Sequence, residues 1–193
     1  MTLIDSRPAI MAAFGRVTAE TGVGIDLHAV DARMGIKLED ELGYWFPPGR
    51  VAATAEMYRR HYVRLAAGMT AALPGAREAL AAVRAAGDRA VIITAKHPVS
   101  VPASLGAAGL AADELYTHVH GPEKAAVLRR LEAAAYVGDT PADMAAAAEA
   151  GVPAVGVPTG SFGGPELRAA GAGVVLGSLT EFPLWYDAMR ANE

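Results

Sequence analysis

Two regimes of apolar spacing divide this chain. From residue 8 to about residue 68, apolar positions recur three and four apart, the spacing of one helical face. Ile10, Phe14 and Val17 predict a helix that Gly22 ends, and Asp26 stands where an N-cap would open a short helix reaching Met34-Gly35. A third short helix is predicted from Leu38 to Leu42, before "GYWFPPGR" breaks the pattern with aromatics and two prolines. Another, from about Val51 to Ala67, carries Tyr58, Tyr62 and Leu65 along one side. The segment "ALPGA" at 72–76 marks the change. Beyond it, short apolar runs alternate with Ala-rich helical stretches, as in a parallel sheet built from βα units. Strands are predicted at 89–94, 115–119, 134–138, 153–157 and 173–176, with helices near 76–86, 99–108, 123–132, 141–150, 164–170 and 179–190. The pattern therefore describes an α/β protein, a Rossmann-like parallel-sheet core joined to an all-helical block.

Composition narrows what this fold can do. The 193 residues are 52% hydrophobic and 20% charged, enough apolar material for a buried core and too much for a disordered chain. A net charge of −4, with both signs interspersed, argues against a nucleic-acid or anionic-membrane footprint. Cysteine is absent, which removes disulfides, thiolate nucleophiles and Cys-ligated zinc. No apolar run reaches spanning length and the N-terminus lacks a signal-peptide pattern, so a cytoplasmic location is expected. Only Lys37, Lys96 and Lys124 among the 17 basic residues are lysines, so each lysine stands out against the arginine background.

In open α/β sheets ligands gather at the carboxyl ends of strands, and three predicted strand ends carry chemistry. "YVGDTPADM" places Asp139 just past a strand and Asp143 four residues on, near one helix start. Paired hard oxygens there suit Mg²⁺, which keeps waters for a phosphate to displace; an N-cap and a first-turn acid are the plainer reading of the same residues. "VIITAKH" ends a strand on Thr94, whose hydroxyl can donate to a phosphate oxygen, while Lys96 and His97 are expected to solvate the loop. "HGPEKAAVL" puts Lys124 in the first turn of a helix, against the helix dipole, so an anion is expected beside it.

Thr94, Lys124 and the Asp139–Asp143 pair follow one another in an order that resembles motifs two, three and four of the haloacid dehalogenase superfamily. "TLIDS" at 2–6 resembles the tail of that superfamily's first motif, D-x-D-G-T-L, and "YRRHY" followed by "LPGAREALAAVRAAG" is similar to its phosphoglycolate phosphatase-like branch. The resemblance implies a helical cap over 8–72 inserted into a core formed by 1–7 and 73–193. It implies a Mg²⁺-dependent phosphatase acting on a small phosphorylated metabolite, phosphoglycolate-like, through an aspartyl-phosphate. Asp139 and Asp143 would serve the metal, Thr2, Thr94 and Lys124 the substrate, with Lys124 also contributing electrostatically to catalysis. No nucleic-acid or membrane partner is implied, and a homodimer is left open.

The same alignment sets Met1 at the motif's Gly position, so the nucleophile and the general acid/base would precede Met1 and neither can be named in this sequence. The chain as written is then expected to lack activity, and the central first strand of its sheet would be missing, with the two flanking strands unpaired. A non-catalytic phosphate- and Mg²⁺-binding pseudoenzyme, a truncated remnant, and a haloacid dehalogenase are the alternatives. Smaller signals point elsewhere only faintly. "THVH" sets His118 and His120 on one strand face, as metal ligands would be, without a third ligand. "GVPTGSFGGPE" reads as a loop bordering the cleft rather than a nucleotide cradle. "GYWF" is expected to pack the helical block, and Arg59 or Arg60 either faces a substrate anion or is solvated.

Overall fold

The chain enters the fold through a two-residue strand, β1 (Ile4–Asp5), and turns at Ser6 into α1 (Arg7–Thr21). The computed structural model describes residues 1–191. Pro8 sits in the first turn of α1, where no amide is needed, and Gly22 closes the helix in the left-handed region at φ 70°. Asp26 opens α2 (Leu27–Ala32) by accepting from the amides of His28 at 2.8 Å and Ala29 at 3.3 Å. α3 (Leu38–Gly43) and the long α4 (Pro48–Met69) follow. The inner faces of these helices bury Phe14, Val17, Leu42, Tyr58 and Tyr62 in one cluster with Phe46 from the turn between α3 and α4, each worth about 1.5–3 kcal/mol relative to exposure.

The chain leaves this helical layer through β2 (Ala71–Ala72), which pairs antiparallel with β1, Ile4 opposite Ala72 and Asp5 opposite Ala71. The ribbon binds together the two crossings between the layers. Period-two alternation cannot reveal strands of two residues, and alanine carries little strand preference.

The second layer runs α5 (Ala76–Ala85), β3 (Val91–Ile93), a 3₁₀ turn at Pro98–Ser100 leading into α6 (Val101–Ala108), β4 (Glu114–Tyr116), α7 (Glu123–Leu131), β5 (Tyr136–Gly138), α8 (Pro141–Ala150), β6 (Ala154–Gly156), α9 (Gly164–Ala169), β7 (Val174–Val175) and α10 (Phe182–Arg190). Every strand is shorter than the apolar run that predicts it. β4 stops at Tyr116, and His118 takes a left-handed backbone at φ 59°, which no strand accommodates. His118 and His120 therefore do not share a strand face, contrary to expectation.

β3 pairs parallel with β4, and β5, β6 and β7 form a second parallel group. Among the described residues the two groups share no ladder, so the α/β core has a gap between β3 and β5 where a central strand would lie. The backbone shows which groups face it. The carbonyls of Ala90 and Thr94 accept from Asp113 at 2.9 Å and Val119 at 3.0 Å on the β4 side. Alternation along a parallel ladder turns Val91 and Ile93 the other way. Tyr136 donates to Pro153 at 2.9 Å and Gly138 accepts from Val157 at 2.9 Å on the β6 side, which turns Val137 away likewise. Val91, Ile93 and Val137 all line one cavity of about 880 Å³ that continues into the cleft under the helical layer. Leu80, Val83 and Phe182 from α5 and α10, and Leu128 and Leu131 from α7, complete its apolar part. No described helix is long and apolar enough to cross a membrane.

Candidate active site

The polar end of that cavity gathers Thr2, Thr94, Lys96, Lys124, Asp139 and Asp143. All five residues singled out in the sequence are thus brought to one cleft, at the carboxyl ends of β3 and β5. Asp139 follows β5 directly and is 5% exposed. Its Oδ1 accepts from the Thr2 hydroxyl at 2.8 Å, and its Oδ2 forms an ion pair with the Met1 amino group. Thr159 fixes the same N-terminal turn by donating to the Met1 carbonyl at 2.8 Å. Gly160 lies so close that a Cβ there would overlap the Asp139 carboxylate. The loop "GVPTGSFGGPE" therefore borders the cleft, as its sequence suggests, and its glycine is required by that carboxylate.

Asp143 sits in the first turn of α8 with both oxygens engaged. Oδ1 accepts from Lys124 Nζ at 2.6 Å and Tyr136 Oη at 3.1 Å; Oδ2 accepts from the Thr140 hydroxyl at 2.7 Å and its amide at 3.2 Å. Thr140 Oγ1 takes the Asp143 amide at 3.2 Å in return, so a capping box fixes the helix start. Burial works to raise the Asp143 pKa, but the Lys124 ammonium and the hydrogen bonds outweigh it, and the carboxyl titrates below its usual range. Tyr136 moves the opposite way: burial and the neighbouring Asp143 charge push its phenol well up. The anion expected beside Lys124 is thus Asp143. A side chain on Gly138 would collide with Asp143, so the strand must end on glycine to let the carboxylate fold back over it.

Thr94 lies on the facing strand end. Its amide donates to Tyr116 at 2.8 Å, and its hydroxyl accepts from the Lys96 amide at 3.2 Å while keeping its own proton to give. Lys96 departs from expectation. Rather than solvating a loop, its Nζ donates to Ser6 Oγ at 3.0 Å and Tyr62 Oη at 3.1 Å, bridging core and helical layer. Tyr62 and Ser104 are 2.8 Å apart, and Ser104 gives its own proton to the Ser100 carbonyl at 2.9 Å. The phenol therefore donates to Ser104 and accepts from Lys96. Burial alone would raise Tyr62, yet the Lys96 charge and these hydrogen bonds bring its pKa below the usual phenol value. No carboxylate among the described residues lies within ion-pair distance of Lys96, whereas Lys124 is paired with Asp143 at 2.6 Å. The scarcity of lysine was the available sequence signal, but only the fold shows that helix α4 roofs this strand end.

The other candidates resolve differently. Arg59 is buried and held by Glu39 and Glu56, so its charge is already matched. Phe46 is buried, and Trp45 donates its indole N–H to Glu41 at 2.9 Å, so these aromatics pack the helical layer; Tyr44 is exposed beneath the Arg33 guanidinium. His97 and His120 stand on either side of His118, ring centroids 5.5 Å and 5.0 Å away, and burial lowers the pKa of both. Among the described residues no group of three His, Cys, Asp or Glu side chains is arranged to hold a metal by itself.

The chain is 30% identical over 204 residues to a probable phosphatase, IndB, of Dickeya dadantii, spanning 93% of this chain and 87% of that one. A hydrolase from Pseudomonas syringae shares the fold with a TM-score of 0.79 at 21% identity, covering 97% of this chain and 94% of that chain. CbbY from Rhodobacter sphaeroides, solved in complex with phosphate, superposes with a TM-score of 0.80 at 21% identity, over 93% and 91% of the two chains. The sequence pattern of the haloacid dehalogenase-like hydrolases matches residues 1–148, and the chain belongs to that family.

Proposed function

We propose that the cleft is a phosphate-monoester site of a Mg²⁺-dependent phosphatase whose substrate is a small organic phosphate bearing a second anionic group, phosphoglycolate-like. The observation that carries this reading is the gathering in one cleft of the buried carboxylate Asp139, the hydroxyl of Thr94, and Lys124 and Lys96, the latter with no carboxylate within ion-pair distance among the described residues. Asp139 suits Mg²⁺ by its chemistry, a hard oxygen donor in a buried site. Mg²⁺ commonly uses one or two carboxylates and completes its shell with water and substrate phosphate, so Asp139 would serve it by giving up the contact that now occupies its Oδ2. Bound there, the metal would neutralise charge on the transferring phosphoryl group.

The protein side chains divide the remaining work. Thr94 offers a hydroxyl proton to a phosphate oxygen, and Lys124, held in place by Asp143, has two further N–H donors to share with it. Lys96 and Ser6 would take the substrate's carboxylate. Thr94 and Lys96 line the same cleft, with the Lys96 ammonium turned toward Ser6 and Tyr62. CbbY's complex with phosphate supports the class of ligand, and the IndB likeness supports phosphatase chemistry.

A second reading is favoured by one observation. Both oxygens of Asp139 and of Asp143 are occupied by protein donors, and Asp5 is turned into β1, where it accepts from the Arg7 amide at 2.9 Å. None of these carboxylates is free to attack phosphorus, so this chain would bind Mg²⁺ and phosphate without turning substrate over. One experiment separates the readings: phosphate release from p-nitrophenyl phosphate and 2-phosphoglycolate with Mg²⁺, beside calorimetric titration of inorganic phosphate. Release supports the phosphatase, and binding without release supports the second reading. Neither release nor binding refutes both.

A further inference from the structure

We propose that His97 is an acid-sensitive positioning residue for Lys96: its neutral ring holds the turn Pro98–Ser100, and protonation of the ring releases that turn and the hydrogen-bond chain that joins it to Lys96. The inference concerns the contacts of Lys96 and stands apart from what the cleft binds. Its first ground is a count of the turn's amides. Pro98 has none to satisfy, the Ser100 amide donates to the His97 carbonyl at 2.9 Å, and the Val99 amide donates to His97 Nδ1 at 3.3 Å. Nδ1 can accept only in the neutral imidazole, because both ring nitrogens carry protons in the imidazolium. Protonation therefore sets one N–H against another and leaves the Val99 amide without its acceptor.

The second ground is what the turn carries. α6 begins directly after Ser100, and the Ser100 carbonyl accepts from Ser104, which accepts from Tyr62, which accepts in turn from Lys96 Nζ. Ser104 is 1% exposed and Tyr62 2%, so both hydroxyls depend on one another rather than on bulk water. A displaced Ser100 carbonyl thus reaches the Lys96 ammonium through two buried hydroxyls. The Lys96 backbone is pinned separately, its carbonyl accepting from the His118 amide at 2.9 Å, so it is the ammonium end that the turn controls.

The third ground is the electrostatic surrounding. His118 and His120 continue a row of rings from His97, meeting edge to face at 5.5 Å and 5.0 Å, a packing that adjoining positive charges would oppose. Arg59 and Glu56 from α4, Glu39 from α3 and His118 act on His97; His118, Lys37, Glu123 and Lys124 act on His120. Glu39 and Glu56 are already held by Arg59. Burial, then the Arg59 charge and His118, keep the His97 pKa below its usual value. With the folded value below the unfolded value of about 6.5, the unfolded chain takes up the proton first. The contribution of the neutral ring is therefore present above about pH 6.5, declines as pH falls below it, and is gone once pH passes the folded value.

The test is amide hydrogen exchange and ¹³C NMR of the tyrosine-labelled full chain between about pH 7.5 and about pH 5.5, either side of the histidine range. As the His97 ring titrates, protection of the Val99 amide, corrected for the intrinsic rate, is expected to fall about tenfold, the worth of one hydrogen bond. The Tyr62 Cζ signal should move with the same midpoint. His97→Asn, which caps without titrating, should keep native protection and a constant Tyr62 signal at every pH, and His97→Ala should show the low protection throughout. Ser104→Ala should spare the Val99 response and abolish that of Tyr62. Val99 protection that stays constant while His97 titrates, an Asn variant that responds like the native chain, or an Ala variant that keeps native protection would each overturn the proposal. A Tyr62 signal that ignores His97 in the native chain, or still follows it in the Ser104→Ala chain, would overturn the relay to Lys96.

Discussion

Lys124→Met tests how the cleft holds its buried charge. In the native chain Lys124 Nζ lies 2.6 Å from Asp143 Oδ1, and the carboxylate side chain is only 5% exposed. Removing one partner of a buried pair costs about 3–5 kcal/mol, because the other charge is left without compensation. Here Asp143 keeps three donors, Tyr136 Oη and the Thr140 amide and hydroxyl, so the lower end, about 3 kcal/mol at pH 7, is expected. A methionine of similar length limits the packing loss to a small part of that.

The pH dependence distinguishes an electrostatic loss from a steric one. Asp143 titrates below its usual range in the folded chain. Its stabilising contribution is therefore fully present above the unfolded value of about 3.9 and is lost only as pH falls through the lower folded value. In the variant the Lys124 charge is gone, and burial, the largest single influence on Asp143, is expected to lift the folded carboxyl above its usual range. The folded state then binds more protons than the unfolded one between the two values, and stability falls as pH rises through that window, by up to about 1.4 kcal/mol per unit. Chemical denaturation of both chains at intervals from pH 5 to pH 8 measures the difference. It should be smallest at the acid end and widen toward neutrality. A penalty of the same size at every pH would mean that the methionine damages packing, and the electrostatic account of Asp143 would fall.

Three further outcomes follow from the same geometry. Asp139→Asn should abolish Mg²⁺ binding in calorimetry while leaving the fold intact, because Thr2 can still donate to the amide oxygen; retained binding would move the metal away from Asp139. Lys96→Met should weaken 2-phosphoglycolate by about tenfold or more, roughly the value of one charged hydrogen bond, with little effect on p-nitrophenyl phosphate, and equal losses for both would remove Lys96 from carboxylate recognition. Gly160→Ala sets a methyl group against the Asp139 carboxylate and should lower stability by about 1–3 kcal/mol, read as a lowered denaturation midpoint; an unchanged midpoint would show that the 160 loop yields easily.

What the sequence made legible follows from the range of the interaction involved. The alternation of helices and strands was readable because each element's apolar period is local, and so were the caps at Asp26 and Gly22, where one side chain or one missing Cβ decides the matter. The gathering of Thr94, Lys124, Asp139 and Asp143 was readable because parallel topology sends successive strand ends to one edge, whereas Thr2 was reached only through the resemblance of "TLIDS" to the family's first motif. Lys96 was misjudged for the opposite reason. Its partners, Ser6 and Tyr62, are 90 and 34 residues away, and nothing in the local pattern says that Tyr62 of α4 descends on the end of β3. The histidines failed on backbone geometry: the left-handed turn at His118 has no glycine or asparagine to announce it, so the period of a strand was extended past its true end. Asp143 joins both kinds of information. Its place as a first-turn acid is a local helix signal, whereas the company of Lys124 and Tyr136 depends on α7 packing against α8 and on Gly138 yielding room. Of the two readings of "GDTPAD" offered by the sequence, a helix cap and a Mg²⁺ site, the contacts of Asp143 are those of the cap, in which the capping box fixes the carboxylate that in turn fixes the lysine.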